Sequence, residues 1–135
     1  MNIAPRYEKT KTGILYPLEF YELNFKPKRL FFVSNVETGE IRGKHAHIEC
    51  EQYIVCIHGQ IEIYTFDGYM TNIKTLNVGD TKYIPKMIWN EVKYMTGNDI
   101  LLCLCSHPYD KNDYINDIND YTNLIKQRLE TTLYV

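Results

Sequence analysis

With 135 residues, 15 basic and 17 acidic side chains and a formal net charge of −2, the chain has the length of one ordinary domain and no broad cationic surface for nucleic acid. Its first residues, MNIAPRYEKT, contain no apolar h-region, and no run approaches the roughly 18 apolar residues that a membrane span requires. A cytoplasmic, soluble protein with no nucleic-acid or membrane partner is expected, its Cys50, Cys56, Cys103 and Cys105 being buried free thiols rather than disulfides.

Short β-rich runs bounded by Gly, Asn, Asp or Pro follow one another along the chain: GILYPLEF (13–20), KRLFFVSN (28–35), QYIVCIHG (52–59), QIEIYTFDG (60–68), NIKTLNVGD (72–80), TKYIPK (81–86), NEVKYM (90–95) and DILLCLCS (99–106). That spacing predicts a sandwich or barrel. Ile61, Ile63 and Thr65 alternate with Glu62, Tyr64 and Phe66, and the HGQ and FDGY breaks on either side make this stretch a hairpin arm. ILLCLC is apolar on both faces and is expected as a central strand between two layers. After SHPYD the period changes. Tyr114, Ile115, Ile118, Tyr121, Leu124 and Ile125 recur at helical spacing, with Asp110 and Asp113 resembling an N-terminal cap, so one short C-terminal helix closes a single domain spanning residues 1–135.

Between the second and third runs stands RGKHAHIECEQ, residues 42–52. Histidines at i and i+2 on a strand point to one face, so His45 and His47 either share a centre inside a barrel or decorate a solvated strand edge. The region resembles the double-stranded β-helix proteins called cupins. Their metal-binding members place an acid four or five residues after HxH and a further histidine in a second motif. At the longer spacing the acid position falls on Gln52 and the closing glycine on Gly59. In the second motif Gly79 and Pro85 stand at the expected offsets, while Asn90 occupies the last histidine's place. Glu51 satisfies the shorter spacing but faces away from Gln52. Neutral amides are poor ligands for Zn²⁺ or Fe²⁺, so no functional metal is expected.

Two unligated imidazoles suit proton shuttling between adjacent carbons near neutral pH. A pocket with His45, His47, the cation of Arg42, the amides of Gln52 and Asn90 and the aromatic surfaces of Tyr83 and Trp89 could bind a sugar nucleotide and polarise its carbonyl. KRLFFVSNVETGEIRGKHAHIECEQYIVCIHGQIEI, YIPKMIWNEV and HPYDKNDYINDINDY resemble the dTDP-sugar 3,4-ketoisomerases, from about Lys28 to Tyr121, with RGxHAH…EQ and the late YDxxDYI as the specific parts.

The resemblance implies an all-β, cupin-like jelly roll with one helix. It implies a reaction that moves the ketone of dTDP-4-keto-6-deoxy-D-glucose from C4 to C3 through an enediol, without metal or organic cofactor, for 3-amino-3,6-dideoxyhexose biosynthesis of the kind that serves lipopolysaccharide or O-antigen. It implies His45 as catalytic base, His47 as relay or positioner, Arg42 at the nucleotide phosphates, and a homodimer with exchanged N-terminal strands. The chain departs from the family pattern at Trp89-Asn90, where Trp-His is common, and at Thr12-Gly13, where Arg-Gly is common. Two rival readings are a 3,5-epimerase using Tyr83 as the proton donor on the opposite sugar face, and a non-catalytic cupin that binds a sugar nucleotide.

Overall fold

A computed structural model describes residues 7–133 of the chain. Eleven short strands are formed among them: β1 (Glu8–Thr10), β2 (Gly13–Leu15), β3 (Arg29–Val33), β4 (Ile41–His47), β5 (Gln52–His58), β6 (Gln60–Phe66), β7 (Thr71–Asn77), β8 (Thr81–Ile84), β9 (Trp89–Tyr94), β10 (Ile100–Cys105) and β11 (Tyr114–Ile115). A helix, α1 (Ile118–Leu133), closes the described chain.

Strands β3-β10-β5-β8 form one antiparallel sheet and β11-β4-β9-β6-β7 another, and from β4 onward the chain passes repeatedly from one sheet to the other. That alternation is the winding of a jelly roll, and the fold is the cupin-like double-stranded β-helix with one C-terminal helix that the sequence led one to expect. β1 and β2 form a separate two-stranded ribbon whose residues are all exposed.

Period-two patterning sets the core. Ile61 and Ile63 of β6 are fully buried and meet Ile54 and Cys56 of β5 and Leu101 and Cys103 of β10 between the sheets. β10 lies between β3 and β5, and its other face is covered as well, with Leu102 and Leu104 packing beside Leu18, Leu23, Phe25 and Tyr53. All four cysteines are buried and free. β6 does pair with β7 across a tight turn in which Asp67 Oδ1 accepts the Tyr69 and Met70 N–H groups. The HGQ break instead carries the chain between sheets. There Gly59, at φ 76°, lies against the Asp99 carboxylate, and a Cβ would come within 2.2 Å of its Oδ1.

The helix begins later than its apolar spacing suggests. Tyr114 and Ile115 are extended and pair with His47 and Ala46 of β4. Asp110 caps only a single 3₁₀ turn over residues 111–113, and Asp117 caps the helix by accepting the Asn119 and Asp120 N–H groups. Tyr121, Leu124 and Ile125 then pack on the outer face of the five-stranded sheet, against Ala46, Met87, Trp89 and Ile115. The described helix has 16 residues, and no helix among the described residues is long and apolar enough to cross a membrane.

Candidate active site

The site is built on an irregularity in β4. Gly43 pairs with Glu91 and His45 with Asn90, so Lys44 is an extra residue with no partner in β9. Gly43 and Lys44 have φ values of 91° and 52°. This is a β-bulge, and it breaks the strict alternation of faces. Arg42 and His45 consequently line the same cavity, of about 140 Å³, with Phe31, Val33, Gln52, Ile54, Asn90, Val92 and Tyr94. That is below the roughly 300–1,000 Å³ of sites that enclose a drug-sized ligand, so it suits one ring with the rest of a larger ligand lying outside.

Hydrogen bonds fix the tautomers of both imidazoles. His45 Nδ1 lies 2.9 Å from the Gly43 carbonyl oxygen. A carbonyl only accepts, so Nδ1 carries the proton and Nε2 is left as the basic nitrogen. His47 Nδ1 lies 2.8 Å from Asp113 Oδ2, which makes it a donor too, and its buried Nε2 has no hydrogen-bond partner among the described residues. Burial lowers the His45 pKa to about 4, the neighbouring His47 lowers it further within that total, and the Gly43 contact opposes both. Burial also lowers the His47 pKa, with Asp113 opposing and Arg29 assisting. Both rings are therefore neutral bases at neutral pH.

The histidine rings stand edge to face, centroids 5.0 Å apart, and Tyr114 lies 5.0 Å from His45 and 4.4 Å from His47. Arg29 of β3 sits over the rings of Phe31 and Tyr109, at 4.8 and 5.2 Å from their centroids. Gln52 and Asn90 are buried in the cavity wall, and Asn90 Nδ2 donates to the His45 carbonyl at 3.3 Å.

Three residues expected at this pocket do not line it: His47, whose ring stands 5.0 Å from that of His45, and Tyr83 and Trp89. Tyr83 pairs with Tyr53, packs tilted against its ring in the cluster on the other face of the sheet and donates to Glu51 Oε1. Trp89 is buried under α1 and donates from Nε1 to Glu91 Oε2 at 2.9 Å. Strand parity is the cause for Tyr83 and Trp89, because Trp89 adjoins Asn90 and Tyr83 adjoins Ile84, and neighbours on a strand face opposite ways. Thr12 and Gly13 lie in the exposed β1–β2 ribbon, where Thr10 Oγ1 donates to the Gly13 carbonyl.

As a metal centre the site is poorly equipped. The two positions beside His45 that would supply a carboxylate and an imidazole carry the amides of Gln52 and Asn90. Ligand atoms of His47, Cys50 and Asp113 do lie within 4.8 Å of one another, but His47 and Asp113 already bond each other. A hydrogen bond with Cys105, then burial, push the Cys50 thiol far above its ordinary pKa, which disfavours the thiolate a metal needs.

Residues 4–126 match the family model described as FdtA, WxcM-like, C-terminal. The chain is 30% identical over 104 residues to the TDP-4-oxo-6-deoxy-alpha-D-glucose-3,4-oxoisomerase of Aneurinibacillus thermoaerophilus, covering 75% of this chain and 73% of that one. Among solved structures it is similar to QdtA, a sugar 3,4-ketoisomerase from Thermoanaerobacterium thermosaccharolyticum in complex with TDP, with a TM-score of 0.87, 29% identity and 95% of each chain covered. A 3,4-ketoisomerase from Helicobacter canadensis matches with a TM-score of 0.84 at 29% identity, over 90% of this chain and 93% of that one.

Proposed function

From the premise that this chain belongs to the dTDP-sugar 3,4-ketoisomerase family, we propose that it converts dTDP-4-keto-6-deoxy-D-glucose to the 3-keto isomer. One observation carries the chemistry: His45, on the wall of a ring-sized cavity, has Nδ1–H tied to the Gly43 carbonyl and Nε2 left as a neutral base.

In the proposed reaction His45 Nε2 takes the proton from C3. The C3–H electron pair becomes the C3–C4 double bond, and the former C4 carbonyl oxygen takes up the negative charge of an enediolate. Transfer of the O3 proton to O4, with His47 Nε2 as relay, and return of a proton to C4 leave the ketone at C3. No electrons are gained or lost overall, so no redox cofactor is required. Side-chain amides of Gln52 and Asn90 can donate to the enediolate oxygens, where fixed donors stabilise developing charge. Arg42, exposed and at the cavity wall, suits the diphosphate, whose paired oxygens match a guanidinium fork.

The same reading includes a single domain over residues 1–135 working in the cytoplasm, and a 3-amino-3,6-dideoxyhexose as eventual product after transamination of the new ketone. It also includes a homodimer with exchanged N-terminal strands. Support for the dimer comes from the exposed β1–β2 ribbon, joined to neither large sheet, and from Leu30 and Phe32, exposed on β3 at the end of its sheet. Against a 3,5-epimerase stands Tyr83, the donor that activity would need, which is off the cavity and bonded to Glu51.

Proton NMR of the reaction in heavy water tests the proposal. A ketoisomerase places deuterium at C4 of a 3-keto product, and the C4 coupling constants report its configuration. Deuterium at C5 would reveal an epimerase, and an unchanged substrate a binding protein.

A further inference from the structure

The late YDKNDYI segment, residues 109–115, runs against the histidine strand, and its Asp113 binds four successive residues there. Oδ2 accepts from His47 Nδ1 at 2.8 Å and from the Cys50 N–H at 3.2 Å, while Oδ1 accepts from the Glu49 N–H at 2.7 Å. The Asp113 backbone carbonyl accepts the Ile48 N–H at 2.9 Å. Tyr114, the next residue, places its ring 4.4 Å from that of His47. Three of these bonds would secure the turn at residues 48–50 without involving an imidazole. The fourth fixes one.

We propose that Asp113 is a positioning residue of the isomerase, holding His47 in the Nδ1–H tautomer so that its buried Nε2, without a hydrogen-bond partner among the described residues, is ready to accept a proton. This rests on the ketoisomerase reading for its catalytic consequence, though not for the tautomer. A carboxylate has only acceptors to offer Nδ1, whereas an amide can present its N–H and reverse the ring's donor and acceptor nitrogens. Oδ2 also has the Cys50 N–H to satisfy, so the carboxylate cannot turn away from His47 without stranding a backbone donor. Pinning one ring nitrogen to define the other is how carboxylate–histidine pairs prepare imidazoles for proton transfer.

Long-range ¹⁵N–¹H correlation spectra of the wild-type protein, with His47 assigned through His47→Gln, read the tautomer directly and without turnover. The expected result is a protonated Nδ1 and a pyridine-type Nε2 at pH 7. The same spectra of Asp113→Asn should show Nε2–H gaining population. With dTDP-4-keto-6-deoxyglucose, kcat of that variant should fall at least about tenfold at little-changed KM, as for losses of other supporting hydrogen bonds. Asp113→Glu, which restores an acceptor, should recover part of kcat. A wild-type His47 in the Nε2–H form would overturn the proposal whatever Asp113→Asn does to folding. So would an Asp113→Asn enzyme with wild-type kcat. A correct tautomer in a protein inactive on this substrate would leave the dyad standing and count against the ketoisomerase reading alone.

Discussion

Arg42 and His45, three residues apart on one strand, line the same cavity because the Gly43–Lys44 bulge inserts a residue between them. In a regular strand they would face opposite sides of the sheet. The RGxHAH spacing thus brings a guanidinium and an imidazole to one opening, the pair proposed to meet the nucleotide and the sugar. Arg42→Ala is expected to raise the Kd for dTDP and the KM for substrate while leaving kcat within a fewfold of wild type, because diphosphate contacts act equally on ground and transition states. Isothermal titration with dTDP alongside steady-state kinetics checks this. A large fall in kcat at unchanged KM would refute the role.

The pH dependence follows from the His45 environment. Its imidazole must be neutral to take a proton, and burial with the adjacent His47 brings its pKa to about 4. The acid limb of kcat/KM in the free enzyme should therefore fall well below the pH of about 6.5 at which an ordinary imidazole titrates. Stability carries the same sign. A depressed folded-state pKa leaves stability intact above about pH 6.5 and removes it progressively as pH falls toward 4, since the unfolded chain binds the proton first. Rate profiles and urea melts across that interval measure the two effects separately.

Prolonged chelation should leave turnover intact, and no transition metal should copurify in stoichiometric amount, because amides stand at two of the four positions a metal-binding relative would use. Elemental analysis and assays after chelator treatment decide it. Activity recovered only with added Zn²⁺, Mn²⁺ or Fe²⁺ would contradict this reading.

Asp99 is the buried carboxylate whose loss should damage the fold most. Its oxygens accept from the Gln60, Thr96 and Gly97 N–H groups and from the Thr96 hydroxyl, and they crowd Gly59. Burial alone would raise its pKa, but these donors prevail and hold it below the usual carboxylate value. Asp99→Asn puts an amide N–H among donors and is expected to cost about 1–3 kcal/mol, read as a lower urea midpoint. A variant as stable as wild type would show that the loop at residues 96–99 does not depend on the charge.

Strand order and faces were legible where period two is uninterrupted, as in Ile61–Thr65, and the two-faced apolar run of β10 announced a central strand. Elsewhere local spacing misled. Tyr114 and Ile115 fall at helical intervals from Ile118, yet pairing with His47 and Ala46 holds them extended, a tertiary constraint that propensity does not encode. Parity could have separated Trp89 from Asn90 and Tyr83 from Ile84, since adjacent residues cannot share a face. Arg29 had a fainter signal: Arg29, Phe31 and Val33 alternate with Leu30 and Phe32, and it is the latter pair that is exposed. Asp113 lies 66 residues from His47, and no local pattern joins them.

The most direct measurement is C3 hydrogen exchange by folded His45→Asn in heavy water, followed by NMR with dTDP-4-keto-6-deoxyglucose and with folding verified by circular dichroism. Asparagine keeps some of the shape and hydrogen bonding of histidine but cannot accept a proton near neutral pH. Loss of general base catalysis should lower exchange and kcat by about 10²- to 10⁴-fold with dTDP binding nearly unchanged, while His47→Asn retains slow exchange at C3. Near-normal C3 exchange in a folded His45→Asn protein would show that another residue is the base.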